Sequence, residues 1–205
     1  MLSISGSEVE KPNSPLQNPA LVSNVMLDTG EFVYSEVDLA IPGRGFDFVF
    51  QRTYRSQALY SGVLGWGWDH SYNKRLLEMY GGDVIYYDGT GRRERFKVQG
   101  KPGNYRAPAG RFAQLLKAGD GTFRLIHSAG IIETYDPHGR FIKLQDRNEN
   151  RMEFYYNAAG QLAMVMDAMG RFIHLEYYPF AYDETAGTVK AESGRLRKIT
   201  DFSQR

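Results

Sequence analysis

The sequence has 205 residues, no cysteine, and 25 basic against 24 acidic side chains, which gives a net charge of +1. The lack of cysteine excludes disulfides and thiolate chemistry. The balanced charge gives no support to a nucleic-acid or other polyanionic partner, so none is predicted. Tyrosine, phenylalanine and glycine are abundant, which favours strands joined by turns and an all-β fold.

The first 18 residues are rich in glycine, serine, asparagine and proline and show no hydrophobic periodicity, so residues 1–18 are expected to be a flexible lead-in. They lack the basic start and the apolar run of a signal peptide, and no apolar stretch approaches the roughly 20 residues of a membrane helix. We therefore expect synthesis in the cytoplasm, with any export through a specialised secretion system.

Residues 19–125 are predicted to form a first β region. The runs 22–27 and 31–41 end at turn signals. The next strand has an aromatic face that should pack on a core, formed by Phe46, Phe48 and Phe50. Prolines and glycines predict a loop at 101–110, and residues 111–130 are predicted to be two strands around a Gly-Asp-Gly turn.

The segment 65–72, Gly-Trp-Gly-Trp-Asp-His-Ser-Tyr, is an aromatic patch that contains both tryptophans of the sequence. Trp66, Trp68 and Tyr72 are candidates for ligand-facing aromatics that stack on a sugar or a base. The alternative is a structural corner, in which the glycines let the backbone pass closely and the tryptophans cap the sheet. The frequent burial of large aromatic side chains favours this alternative.

Residues 126–205 are predicted to be a repeat array with a period of 21 residues. A tyrosine recurs at this spacing, and an Asp or Asn followed three residues later by Gly recurs with it. Each of these glycines precedes an aspartate by seven residues. The signature residues are Tyr135, Asp136, Gly139, Arg140, Asp146, Tyr156, Asn157, Gly160, Asp167, Tyr177, Gly194 and Asp201.

The chemistry of this signature explains its period. Asx side chains bond to the backbone two residues on, and glycine adopts a positive φ without steric cost, so each Asx-x-x-Gly predicts a chain reversal. Each unit is then one β-hairpin of an antiparallel meander, and the tyrosines form a packed cross-strand stack. The predicted strands are 131–135, 141–144, 152–156, 162–166 and 172–178.

The register is interrupted by an insertion at 179–193, after which residues 194–201 resume the pattern. The sequence then stops inside what would be the next hairpin, and an open strand edge is normally covered or paired. We therefore expect a truncated array whose edge pairs with further repeats or with a second copy of the chain.

The Tyr-Asp-x-x-Gly-Arg/Gln units resemble the YD repeats of Rhs (rearrangement hot spot) proteins, also found in teneurins and in the cocoon component of bacterial ABC toxin complexes. The upstream part resembles the region that precedes these repeats in bacterial Rhs and wall-associated-type polymorphic toxins. That resemblance rests on Leu-Ala-Ile-Pro-Gly-Arg-Gly at 39–45, Arg-Thr-Tyr at 52–54, and the 65–72 patch. Together the motifs extend the resemblance over residues 18–205.

The resemblance implies a container wall. In such proteins many hairpins spiral into a hollow β structure that encloses a C-terminal toxin, often delivered by type VI secretion or a related system. The implied fold is an open, incomplete cocoon-like sheet, because three regular units are too few to close a cavity. The implied partners are further repeat segments, a toxin or effector polypeptide, and an immunity protein.

Motifs for catalysis, cofactors or metals are not found in the sequence. The four histidines have no ligand spacing, and the Asp-x-Asn-x-Asn run at 146–150 fails the EF-hand pattern because Arg151 and Asn157 stand where glycine and glutamate are required. No catalytic, cofactor-binding or metal-binding residue is therefore predicted, and the protein is not expected to be an enzyme. Four arginines that follow turn glycines are expected to pair with neighbouring turn aspartates across the array, the alternative being phosphate binding: Arg92, Arg140, Arg171 and Arg195.

Two functional hypotheses follow. The first is a structural segment of an Rhs-type toxin shell, which helps to enclose or present a C-terminal toxin. The alternative is a surface β module that binds carbohydrate or a protein through the 65–72 patch. Loss of binding without loss of folding in Trp66→Ala and Trp68→Ala variants would favour the second hypothesis, whereas loss of folding would favour the first.

Overall fold

The computed structural model describes residues 21–22, 24–100 and 103–203, and all regular structure among these residues is β. The all-β prediction is confirmed, while the lead-in expected at 1–18 lies outside the described residues. No helix that could span a membrane is found in the described part of the chain. The strands of that part are, in chain order, β1 (Leu21–Val22), β2 (Val25–Met26), β3 (Val33–Ile41), β4 (Phe48–Arg55), β5 (Ser61–Gly62), β6 (Gly65–Trp66), β7 (Trp68–His70), β8 (Lys74–Glu78), β9 (Val84–Asp88), β10 (Arg93–Val98), β11 (Asn104–Arg106), β12 (Ala113–Lys117), β13 (Phe123–His127), β14 (Ile132–Tyr135), β15 (Phe141–Gln145), β16 (Arg151–Tyr156), β17 (Leu162–Met166), β18 (Phe172–Tyr177), β19 (Tyr182–Asp183), β20 (Thr188–Val189) and β21 (Leu196–Thr200).

Of the described strands, β8 to β18 and β21 form one twelve-stranded antiparallel sheet, called the long sheet. Its strands pair in sequence order, except that β21 pairs with β18 across the insertion, which holds the β19–β20 hairpin. The predicted antiparallel meander is therefore confirmed. The strands predicted between 131 and 178 agree with β14 to β18 within one residue at each end.

The prediction of a loop at 101–110 is wrong for part of that segment. Strand β11 lies within it and pairs with both β10 and β12. The breaking residues Gly103 and Pro108 flank the strand instead of interrupting it, and Tyr105 between them is a buried core residue.

A second antiparallel sheet, called the short sheet, consists of β3, β4 and β7. Phe48 and Phe50 of β4 are buried in the core, which confirms that the aromatic face of this strand packs inward. The Phe48 ring stacks on Tyr72 at 4.9 Å, and Tyr72 contacts Phe154 of the long sheet at 5.4 Å. The core therefore lies between the short sheet and the inner face of the long sheet.

The long sheet curls so that its first strand, β8, returns to the turn between β14 and β15. The N–H of Leu76 donates to the carbonyl oxygen of Gly139 at 2.8 Å, and Arg75 forms an isolated antiparallel bridge with Arg140. The curl encloses side chains of the sheet itself, among them fully buried Val84, Phe96, Leu115 and Leu125. The sheet nevertheless stays open, because its strand order runs from β8 to β21.

Seven hairpin turns in the described residues share one backbone pattern. The first residue donates its N–H to the carbonyl oxygen of the fifth, and the fourth donates back to the carbonyl oxygen of the first. This is a three-residue hairpin loop with a left-handed fourth residue, a common connection between antiparallel strands. The turns span 79–83, 118–122, 127–131, 136–140, 146–150, 157–161 and 167–171.

Candidate functional site

The signature Asx residues stand first in four of these turns and bond to the turn backbone. Oδ1 of Asp136 accepts the N–H groups of His138 and Arg140, each at 2.9 Å. Asp146, Asn157 and Asp167 accept the equivalent pairs of N–H groups. Each side chain therefore fixes the turn that reverses its hairpin.

The same bonds account for the Asp-x-Asn-x-Asn run at 146–150. The Asp146 carboxylate accepts two backbone N–H groups and the Nδ2 group of Asn150 at 2.8 Å. The Asn150 hydrogen bond is the main reason that the pKa of Asp146 lies below its ordinary value. This carboxylate is thus surrounded by donors, and no group of three or more metal-ligating side chains occurs among the described residues.

The expected pairing of turn arginines across the array is wrong for three of the four, Arg140, Arg171 and Arg195. Nε of Arg140 lies 2.6 Å from Oδ2 of Asp136, and Nε of Arg171 lies 2.7 Å from Oδ2 of Asp167. Both partners belong to the same turn as the arginine, because a five-residue turn brings its first and fifth side chains together. The expectation also fails for Arg195, which donates to the carbonyl oxygen of Gly62 at 3.3 Å.

The repeat tyrosines lie at irregular points of the ladder. The strand register shifts at each of them, as in a β-bulge. The hydroxyl of Tyr156 donates to the carbonyl oxygen of Phe141 at 2.9 Å, and that of Tyr177 donates to the carbonyl oxygen of Leu162 at 2.7 Å. Both acceptors lie 15 residues earlier, so each hydroxyl ties its hairpin to the preceding one.

The aromatic candidates of segment 65–72 divide into two kinds. Trp66 on β6 is 60% exposed, and Trp68 on β7 is half-buried under the guanidinium of Arg52, 5.2 Å from the ring centre. Tyr72 is only 8% exposed, and its hydroxyl accepts the N–H of Val49 at 2.7 Å. Tyr72 is therefore part of the core and does not face a ligand, which leaves Trp66 and Trp68 as the accessible candidates.

A buried ionic cluster, which the sequence analysis did not predict, lies where β8 meets β13 and β14. Glu133 is 2% exposed, and its carboxylate lies 2.5 Å from Nζ of Lys74 and 3.2 Å from Nε2 of His127. The hydroxyl of Tyr135 donates to Oε2 of Glu133 at 2.5 Å. The strand alternation that puts Glu133 on the same face as Tyr135 was the one signal for this cluster in the sequence.

The protonation states of the cluster follow from its contacts. Burial by itself raises the pKa of Glu133, but Lys74 and His127 together outweigh that effect and lower it to about 2. Burial, reinforced by the charge of Glu133, raises the pKa of Tyr135 well above its ordinary value. Glu133 is therefore ionised and Tyr135 is neutral at physiological pH.

The geometry of the cluster supports a structural role. Glu133 on β14 is held by Lys74 of β8 and His127 of β13, so the cluster joins the two ends of the curl through side chains, beside the Leu76–Gly139 backbone bond. A buried charge that loses its partner typically costs about 3–5 kcal/mol of stability. The cavity of about 560 Å³ beside the cluster is lined in part by Lys74, Glu133 and His127, and the Lys74 ammonium and His127 ring both contact the Glu133 carboxylate.

Parts of this chain are similar to known proteins. Residues 23–96, which include β2 to β9 and most of β10, match a family described as a domain of unknown function, DUF6531. The chain is similar to the tRNA3(Ser)-specific nuclease WapA of Bacillus spizizenii, the tRNA nuclease WapA of Bacillus subtilis and the tRNA(Glu)-specific nuclease WapA of Bacillus subtilis subsp. natto. Each is 28% identical over 134 residues, which is 65% of this chain and 6% of the relative.

The chain thus spans a small fraction of the length of these relatives. Three observations agree with one another: the similarity to these relatives, the 21-residue repeat and the meander of hairpins. Together they suggest a YD-repeat-type β protein, and the matched part of the chain is similar to a segment of WapA proteins.

Proposed function

We propose that this chain is a structural wall segment of an Rhs-type toxin protein, which helps to enclose or present a toxin cargo. The linkage between units carries the proposal: Tyr156 and Tyr177 bond to equivalent carbonyl oxygens of the preceding hairpin. Units that connect in the same way can be added without new chemistry. Among the described residues no strand pairs with the outer edge of β21, and this edge is where the proposal places a further YD hairpin.

The position of the core refines this role. The inner face of the curled strands is filled by their own side chains, such as Phe96 and Leu125. The short sheet covers the inner face of the strands that follow, where Tyr72 contacts Phe154. Such a segment closes one end of a container and leaves the lining of the cavity to later units. The partners in this proposal are further repeats, the toxin or effector polypeptide and its immunity protein, with delivery by a specialised secretion system.

We assign no catalysis to the chain. The relatives are named as tRNA nucleases, but the chain matches only 6% of their length. Glu133, Lys74 and His127, which the fold brings together in the buried cluster, contact one another and hold the curl.

The test is co-production of this chain with the polypeptide encoded directly downstream, followed by limited proteolysis and size-exclusion chromatography. The two are expected to elute together, and the downstream polypeptide should survive protease at least about tenfold longer than alone. The matched control is a Leu125→Asp variant, which breaks the core and should abolish protection. Separate elution with unchanged digestion would refute the wall proposal.

A second candidate function is binding of carbohydrate or of a protein by the aromatic patch. Its support is the 60% exposure of Trp66 beside Trp68, which contacts Tyr34 and Tyr54 edge-on or tilted at 6.3 and 5.3 Å. Trp66→Ala should leave the fold intact, so loss of glycan-array binding in this variant would support the function. This function would be refuted if the wild-type chain bound no glycan or protein partner, or if the Trp66→Ala variant bound equally well.

A further inference from the structure

The outer face of the long sheet concentrates positive charge that the overall composition conceals. On β10, Arg93, Arg95 and Lys97 are exposed and alternate with buried Phe96, so they project from the face opposite the core. Successive members of this row lie about 6.8 Å apart, because an antiparallel strand advances about 3.4 Å per residue.

Neighbouring strands extend the row sideways. Lys97 stands directly opposite Arg106 of β11 in the strand register. Arg124 of β13 lies between the buried residues Phe123 and Leu125, and therefore also projects outward. These five cations, Arg93, Arg95, Lys97, Arg106 and Arg124, are called the basic face.

The basic face is poorly neutralised by the protein itself. Asp83 binds Arg95 at 2.7 Å, while Arg93, Lys97, Arg106 and Arg124 form no ion pair within the described residues. Five cations against one carboxylate leave a local surplus of four charges, on a chain whose net charge is +1. Like charges directly opposite in a sheet are destabilising, so the facing pair Lys97 and Arg106 suits an external anion.

A cavity within the basic face indicates the size of that anion. It measures about 490 Å³ and is lined by Arg95, Lys97, Arg106, Ala107, Pro108 and Ala109. A carboxylate side chain would leave most of this volume empty, whereas a nucleotide offers a phosphate to the cations and a planar base to the apolar wall. The ring of Tyr87, opposite Arg93 and stacked under Arg75 at 4.0 Å, adds an aromatic surface beside the row.

We propose that the basic face binds single-stranded nucleic acid through its phosphates, with one nucleotide in the 490 Å³ cavity. Arginine, which supplies four of the five cations, grips phosphate oxygens in bidentate fashion. Such binding is independent of base sequence and is driven largely by the release of counterions from the strand. The proposal stands apart from the wall function, since the face lies on the outer side of the sheet.

The test is fluorescence anisotropy of a 5′-fluorescein-labelled 12-nucleotide oligouridylate with the full chain between 50 and 200 mM NaCl. About four neutralised phosphates predict a slope of log K against log salt near −3, since each contributes about −0.7 for single strands. The triple variant Arg93→Gln, Lys97→Gln, Arg106→Gln should raise Kd at least about tenfold and reduce the slope by about 2.

Two further variants sharpen the test. The triple variant Arg147→Gln, Arg197→Gln, Lys198→Gln removes the same charge away from the face and should change Kd by less than about twofold. Asp83→Asn frees Arg95 and can still accept the N–H of Val98, so it should tighten binding and steepen the slope by about 0.7. All substituted side chains are at the surface or in loops, and urea unfolding checks that each variant is folded.

Three results would overturn the proposal. The first is no binding by the wild-type chain at 50 mM NaCl. The second is equal loss in the two triple variants, or no gain in Asp83→Asn. The third is equal or tighter binding of a labelled 12-residue polyglutamate, which would make the face a docking site for an acidic polypeptide instead.

Discussion

The N–H of Leu76 donates a 2.8 Å hydrogen bond to the carbonyl oxygen of Gly139, which fastens β8 to the turn between β14 and β15. Gly139 has a φ of 79°, and a Cβ atom at this position would lie 2.0 Å from the carbonyl oxygen of Leu76. The curl of the long sheet therefore depends on the absence of a side chain at one signature glycine.

Substitution of Gly139 should cost more than substitution of the equivalent Gly160. Gly160 has a φ of 76°, but a Cβ there meets nothing within 4 Å. Gly160→Ala should lose about 1–2 kcal/mol for the left-handed backbone alone, and Gly139→Ala about 1–3 kcal/mol more for the clash with the β8 backbone. Urea unfolding of both variants measures the difference, and equal losses would show that β8 does not pack on this turn.

The turn at 146–150 should be improved by a glycine at its fourth position. Glu149 has a φ of 64°, where the equivalent residues 139, 160 and 170 are glycines. Glu149→Gly should raise the free energy of unfolding by about 0.5–1 kcal/mol, since the relief of strain exceeds the entropy lost by the unfolded chain. Asn148→Gly is the control: it precedes the left-handed position and should lower stability. A loss in both variants would contradict the shared turn geometry.

The repeat tyrosine hydroxyls should each contribute to the union of adjacent hairpins. Tyr156→Phe removes the bond to Phe141, and Tyr177→Phe the bond to Leu162. Each should cost about 1–2 kcal/mol, because a buried carbonyl oxygen loses its donor. Tyr155→Phe, which removes a hydroxyl bonded to Glu153 at the surface, should cost less than about 0.5 kcal/mol. Amide hydrogen exchange should show faster opening at the affected strand pair.

His70 should make the fold sensitive to mild acid. Its ring is buried and stacks on Phe50 at 4.9 Å, Nδ1 has no hydrogen-bond partner among the described residues, and burial lowers its pKa to about 4. In the unfolded chain the His70 imidazole gains a proton below a pH of about 6.5, whereas in the folded chain it gains one only below about 4. Stability should therefore fall between pH 6.5 and 4, by up to about 1.4 kcal/mol per pH unit.

His70→Phe should remove this acid dependence while keeping the ring stack. His174→Phe, at an exposed position, is the control and should retain the slope of the wild-type chain. The urea midpoints of unfolding at pH 7.0, 6.0 and 5.0 measure the pH dependence of stability. These pH values lie above the range in which Glu133 gains its proton. The pKa of Glu133 is lowered to about 2, so its stabilising contribution is lost only as the pH falls from about 4.5 toward 2. An unchanged slope in His70→Phe would contradict the burial of a neutral imidazole.

The turns show how far local sequence predicts this fold. The reversals at 136, 146, 157 and 167 were predictable because an Asx side chain and a left-handed residue act within five residues. The turns that begin at Met79, Ala118 and His127 have the same backbone bonds but no Asx residue at their first position, and they therefore left no matching repeat in the sequence. The turn geometry therefore recurs at more positions in the structure than the Asx signature does in the sequence.

The sequence by itself determined most strands of the long sheet, the hairpin period and the antiparallel meander, because alternation and turn chemistry act over a few residues. Only the tertiary structure decided that Tyr72 is buried, that Glu133 meets Lys74 of β8, and that Lys97 stands beside Arg106 on one outer face. The physical reason is that alternation shows which residues share a face of a strand, whereas the curl of the sheet decides which face is buried. That curl depends on contacts between residues far apart in the chain, such as Leu76 and Gly139.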